Sequence, residues 1–376
     1  MNGGSIKMVV CLAAAVLTLF CAGNALAKAK GECVNCHTMH NSQNGAAMVD
    51  GGGGPVEALL AYQSCLACHT GSNEGLSSGV MNDTGIPYVL DEDLPIYTNT
   101  EVAANAPGTN NSLAGGNFYW VNAGDDAAGH NVYPLPEDVT LAKIPPGWDA
   151  TNFDTNGSVT AAGTWDEQLT CAGTYGCHGT RDELSAFGAV RGAHHGDDAI
   201  IDGTSVVKSY RFLMGIEGKE DLDWEFTKTS TDHNQYKGAV GTDAATISYL
   251  CAECHGAFHT PLAANGDNGS APWLRHPTDF DMNGGTIGTD EYLSYNVDRT
   301  YSVEAPVAST DVSVVISDTT GANKAIVTCI SCHRAHGSPY PDLLRWAYNT
   351  GTTEDEMIAG NGAGNVGCFI CHTTKD

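Results

Sequence analysis

Residues 32–40 read Glu-Cys-Val-Asn-Cys-His-Thr-Met-His (ECVNCHTMH), and the fold follows from how that stretch is read. Cys33, Cys36 and His37 form C-x-x-C-H, the attachment signature of a c-type haem. Thioether bonds to two vinyl groups on one porphyrin edge fix the cysteine spacing, and the next histidine meets the iron from one face. His40, one turn further on, emerges on the same side as His37 and cannot pass round the porphyrin to the opposite face. It can reach the iron of a neighbouring haem. Short C-H-x-x-H spacing therefore implies haems packed close together, each site supplying a ligand to the next. The alternative is a surface or propionate-contacting histidine.

The pattern recurs. Cys65/Cys68/His69, Cys251/Cys254/His255, Cys329/Cys332/His333 and Cys368/Cys371/His372 have the same spacing. Zinc sites also use C-x-x-C, but five C-x-x-C-H motifs in one chain favour haem. A sixth site is expanded: Cys171-Ala172-Gly173-Thr174-Tyr175-Gly176-Cys177-His178. The porphyrin fixes the sulfur separation, so the three extra residues must bulge outward, and Gly173 and Gly176 give the backbone that freedom. A disulfide loop with an incidental histidine is the competing reading there.

The first residues predict a secretory signal. Lys7 precedes an apolar run from Met8 to Ala22, and Asn24-Ala25-Leu26-Ala27 supplies a small-residue cleavage site before Lys28. The expected division is residues 1–27 as signal peptide and 28–376 as one hexahaem cytochrome unit, with no membrane span after processing. Cys11 and Cys21 leave with the signal, and Phe20 before Cys21 speaks against a lipid anchor. The chain has 14 cysteines, and the remaining twelve fall into six local pairs with a histidine directly after each. None is left over for the disulfide framework that an exported chain would otherwise suggest.

A formal charge of −27 argues against nucleic acid or an anionic membrane as partner. The acidic clusters Asp91-Glu92-Asp93, Glu220-Asp221 and Glu354-Asp355-Glu356 read as solubilising, with calcium binding as the alternative. Turn formers crowd residues 70–170, for example Pro107-Gly108 and Pro145-Pro146-Gly147. Short helices are expected at Val56–Tyr62, Asp182–Val190, Ala245–Glu253 and Leu343–Tyr348, and a strand at Val312–Ile316. Six porphyrins supply large apolar plates, so the expected fold class is a multihaem c-type cytochrome. Its backbone is mostly coil with short helices, wrapped around a chain of six haems.

The histidines set the function class. Of 14, six follow cysteine pairs, leaving His40, His130, His194, His195, His233, His259, His276 and His336 as candidate distal ligands. His40, His259 and His336 follow haem histidines closely, in CHTMH, CHGAFH and CHRAH. Two imidazoles per iron leave no open position for substrate and keep potentials lower than Met/His ligation. No C-x-x-C-K variant of the kind used by multihaem reductases is present. Electron transfer is favoured over catalysis, and the methionines are read as packing.

With that pattern laid out, the chain resembles the hexahaem outer-surface cytochromes that polymerise into nanowires, the outer-membrane cytochrome S type. The resemblance runs through ECVNCHTMHNS at 32–42, SCLACH at 64–69, GHNV at 129–132, YRFL at 210–213, LCAECHGAFH at 250–259, LRHP at 274–277, CISCHRAH at 329–336 and the terminal CFICHTTKD. It implies six haems c and distal ligation by His130, His276, His259 and His336. It also implies that His40 ligates a haem of the adjacent identical subunit. The third site departs from the family pattern, and its missing ligand is assigned to one of His194 and His195. The other, like His233, would then contact propionates or backbone, though each remains a possible ligand.

The expected protein is an exported, non-enzymatic electron conduit, extracellular or on the outer cell surface. Its expected donors are periplasmic or outer-membrane cytochromes, and its acceptors metal oxides or other extracellular oxidants. A monomeric periplasmic or surface carrier is the alternative, and a multihaem reductase the third reading.

Overall fold

The computed structural model describes residues 29, 32–33, 36–37, 42–43, 46–47, 64–72, 85–95, 112–136, 143–148, 167–196, 200–259, 276, 278–283, 299–346 and 367–372. The expected signal peptide, His40 and the helix at 56–62 lie outside them. Regular structure is sparse, as the turn-rich composition implies. Among the described residues there are three short α-helices, α1 (Tyr119–Asn122), α2 (Ala186–Ala189) and α3 (Ile247–Ala252). Ten two- or three-residue strands pair into five ribbons. No described helix is long and apolar enough to cross a membrane.

Local chemistry explains what forms. Thr246 starts α3 because its side-chain oxygen accepts the Tyr249 N–H, satisfying one of the free donors at a helix start. Ser185 does the same for α2 through Gly188 N–H. The sequence predicted a longer helix over Asp182–Val190, but Ser185 delays the start and Gly192, at φ 77°, follows the end. Where a helix was expected over Leu343–Tyr348, the described residues, which end at 346, show a 3-10 turn, Pro341–Leu343. Val312–Ile316 is not a strand, because no backbone among the described residues pairs with it. The Ile316 N–H instead donates to the Gln235 side chain, and its carbonyl accepts from His233.

Of three buried clusters, two lie against cysteines. One gathers Val303, Val307, Val327, Trp346 and Ile370 against Cys332, Cys368 and Cys371. Another joins Tyr210, Leu213, Ile247, Leu250, Ile326 and Ile330. A third sets Leu66, Leu90, Phe118, Val121 and Val132 against Cys171. Between them the backbone of 115–117 and 128–130 runs against 336–338. Gly116 is required there: at φ 84° it presses on the Gly337 carbonyl, where a Cβ has no room.

Candidate functional site: the attachment motifs and their histidines

The five regular motifs share one local geometry. In each, the histidine N–H donates to the carbonyl of the first cysteine, closing a single helical turn at 2.8 Å for His37, 3.0 Å for His69, 2.9 Å for His255, 3.1 Å for His333 and 2.9 Å for His372. One turn thus gathers two thiols and an imidazole. The expanded motif reaches the same end differently. Thr170–Ala172 and Gly176–His178 lie side by side as a ribbon, and the spacer folds back through Gly173 at φ 92°. Thr174 pins the bulge by donating its hydroxyl to the Arg181 carbonyl and its N–H to Glu183. All twelve cysteines are unbridged.

A haem c needs two thiols, a proximal imidazole and a second axial ligand, so the arrangement of histidines tests the fit. An iron–nitrogen bond of about 2 Å on each side, with about 1.2 Å from nitrogen to ring centre, separates two axial imidazoles by roughly 6 Å. Five pairs have that spacing. His37 faces His195 at 5.9 Å, His69 faces His194 at 6.4 Å, and His178 faces His336 at 6.3 Å. His255 faces His130 at 6.2 Å and His372 faces His276 at 6.1 Å. His333 faces no other imidazole among the described residues.

The protonation states also suit iron. Nδ1–H of His69 donates to the Pro87 carbonyl at 2.8 Å, that of His178 to Arg211 at 2.9 Å, and that of His255 to Pro146 at 2.7 Å. His333 donates to Asp342 at 2.7 Å and His130 to Ala335 at 2.6 Å. Each bond holds the proton on Nδ1 and leaves the Nε2 lone pair for a metal. Burial pushes His69 and His178 below the usual imidazole value. It pushes His336 down to about 3, with His178 and His130 adding to the effect. The neutral ring is the form that ligates.

The sites follow one another in space in chain order. Cys36 lies beside Cys68, and the thiols of Cys65 and Cys171 are within hydrogen-bonding reach. Cys177 neighbours Cys251 and Cys254. Cys251 meets Cys329, and Cys332 neighbours Cys368 and Cys371. An ion pair ties the third site to the fourth: Arg181, beside Cys177, meets Glu253, which stands inside the fourth motif.

The structure uses the expected histidines unevenly. His195 faces His37 and His194 faces His69; the sequence assigned one ligand to His194 and His195 and left the other open. They sit on a single 3-10 turn, Ala193–His195, whose three residues per turn aim neighbouring side chains about 120° apart. His259 instead meets the Asp279 carboxylate through Nε2. His233 stacks on Tyr301, and both its ring nitrogens lie on backbone carbonyls, of Asn234 and Ile316. The carbonyls of Pro87, Pro146, Arg211 and Asp342 were not read from the sequence. A backbone acceptor leaves no side-chain signature; Pro145-Pro146-Gly147 was read only as a turn. Among the described residues no acidic cluster has the arrangement of a metal site.

Comparison with known proteins agrees with the motif reading. Residues 322–376 match the doubled CXXCH motif family, spanning the fifth and sixth sites. The chain is 26% identical to the C-type cytochrome OmcS of Geobacter sulfurreducens over 374 residues, 86% of this chain and 81% of that one. Among solved structures, it aligns with the Outer Membrane Cytochrome S Filament from Geobacter sulfurreducens at 18% identity and TM-score 0.38, covering 87% of this chain and 85% of the other. The cryo-EM structure of OmcS nanowires from the same organism aligns at 21% identity and TM-score 0.39, over 85% and 84% of the two chains. The chain is similar to the OmcS type of c-type cytochrome, and its paired C-x-x-C-H motifs support haem c as its cofactor.

Proposed function

We propose that this chain is exported, holds six haems c between histidine pairs, and conducts electrons outside the cell as a polymer of itself. The observation that carries the reading is the set of five imidazole pairs, each at the spacing of two axial ligands. Haem supplies a reversible one-electron carrier when bound; the chain supplies the thiols that anchor it, the neutral rings that ligate it and the contacts that keep neighbours close. With both axial positions taken by nitrogen, substrate has no route to iron, so the protein is a carrier and not an enzyme. Both His194 and His195 serve as ligands in this reading, and His259 does not.

The sixth pair is completed between subunits. His333 presents its Nε2 side without a facing ring among the described residues, and His40 is the distal candidate left over. His40 of one subunit therefore ligates the fifth iron of the next, so that polymerisation and ligation are one event. Likeness to OmcS, whose solved structures are filaments, supports that assembly. Cytochromes of the periplasm or outer membrane would deliver electrons, and metal oxides or other extracellular acceptors would receive them.

Electron microscopy and intact mass of the secreted protein test the reading together. Six attached haems and filaments are expected. Dispersed particles, or fewer than six haems, overturn it.

A further inference from the structure

The third and fifth proximal histidines are held by the same strained turn, built twice from unrelated sequences. At the third site, Tyr210-Arg211-Phe212-Leu213 places Arg211 at φ 49° and Phe212 at φ 62°. The Arg211 carbonyl accepts His178 Nδ1–H at 2.9 Å, and the Phe212 carbonyl accepts the N–H of the next residue, Gly179, at 2.7 Å. At the fifth site, Pro341-Asp342-Leu343-Leu344 places Asp342 and Leu343 both at φ 59°. The Asp342 carbonyl accepts His333 Nδ1–H at 2.7 Å, and the Leu343 carbonyl accepts the N–H of the next residue, Arg334, at 2.7 Å. In each turn the fourth residue's N–H closes back on the first residue's carbonyl: Leu213 on Tyr210 at 2.9 Å, Leu344 on Pro341 at 3.3 Å.

Left-handed backbone is uncommon outside glycine, and two consecutive bulky residues there are costly. Such a conformation persists only where its surroundings impose it, and it concentrates at functional positions. Those surroundings are present. Arg211 N–H donates to Glu220 at 2.6 Å and its guanidinium to Asn234 at 2.9 Å. Beyond the second turn, Arg345 N–H donates to Cys332 at 2.8 Å and its side chain to the Glu304 carbonyl at 2.8 Å. His69 and His255 receive their carbonyls from Pro87 and Pro146 instead, without non-glycine residues in the left-handed region.

We infer that these two turns are positioning elements for the third and fifth irons: their consecutive left-handed residues aim two adjacent carbonyls at each site, one fixing the imidazole tautomer and ring plane, the other fixing the backbone behind it. This rests on the reading of His178 and His333 as iron ligands. A firm Nδ1–H bond to a carbonyl makes the ring a stronger donor to iron, which favours the ferric state and lowers the potential of that haem.

Asp342 is exposed, so its conformation can be changed without disturbing the core. Asp342→Asn removes the charge and keeps a residue that accepts the left-handed region; Asp342→Pro also removes the charge but locks φ near −65°. In the assembled, fully haem-loaded protein, the Pro variant should raise the ferrous-to-ferric ratio of one haem about tenfold over the Asn variant at fixed potential, equal to about 59 mV for one electron. The electron paramagnetic resonance signal of that iron should shift too, since ring orientation changes. Identical titrations and spectra for the two variants, each with six haems by mass, overturn the inference. Fewer than six haems in the unsubstituted protein would overturn the ligand assignments as well. Should the Pro variant not accumulate, Leu343→Val against Leu343→Gly reads the same contrast, because only glycine holds the turn without strain.

Discussion

The third and fifth attachment sites grip their proximal histidines with the same backbone device and differ in what surrounds it. The third binds its cysteines on a ribbon with a pinned bulge, takes its carbonyl from 33 residues away, and is faced by His336 within the chain. The fifth uses one helical turn, takes its carbonyl from nine residues away, and has no facing imidazole among the described residues. In the proposed reading, holding a proximal ring and completing the iron are therefore separate problems. The first is solved by local backbone, the second by whichever loop the fold delivers.

The largest expected effect separates the two sites directly. His336→Met should exchange a nitrogen for a thioether ligand at the third iron in every subunit, raising that haem's potential, while filaments still form. His40→Met should act on the fifth iron and disperse the filaments while six haems remain attached. Spectroelectrochemistry and electron microscopy of both variants read the contrast, and filaments that survive His40→Met would break it. Next in size is the bridge between third and fourth sites. Arg181→Ala strands a buried carboxylate at Glu253 and should cost about 3–5 kcal/mol, measured by denaturant midpoint.

A smaller effect follows pH near the fifth and sixth sites. Glu304 is buried with one carboxylate oxygen on the Gly367 N–H at 2.8 Å and the other without a hydrogen-bond partner among the described residues. Burial pushes its carboxyl up to about 7, with the Gly367 N–H and Arg345 opposing the rise. The unfolded chain binds fewer protons at this group between pH 5 and 7, so its contribution to stability is present at low pH and declines as pH rises through that window. Glu304→Gln should flatten the slope of melting temperature against pH there. The smallest effect is at Thr246, where Thr246→Ala removes the helix cap and should cost about 1 kcal/mol without altering any haem potential.

Cysteine spacing made the attachment sites legible in the sequence because the porphyrin itself dictates it. The distal partners were legible only in part. His336 follows its motif closely, yet spacing alone does not say that its ring faces His178; that depends on the loop at 115–130 meeting 336–338. Spacing was equally silent on His194 and His195, since adjacency in sequence does not reveal that two neighbouring side chains diverge to separate rings. His259 carries the same short-spacing signal as His336 and meets Asp279 instead. The apolar stretch 312–316 suggested a strand because residue type reports a preference for extended backbone, not the presence of a neighbour to pair with. The left-handed turns left no trace, being built from ordinary residues held by distant contacts.

The placement of His194 and His195 on one turn has a consequence for the first two haems. Consecutive Cα atoms are separated by about 3.8 Å whatever the rest of the molecule does. If those residues ligate two irons, a single peptide link spans the gap between the cofactors. Thermal motion would then move the two ligands together, and the gap at that end would depend less on packing than on the short covalent path between them. Elsewhere along the conduit it depends on packing, which softens on heating. Conductivity lost with rising temperature should therefore begin away from that rigid couple.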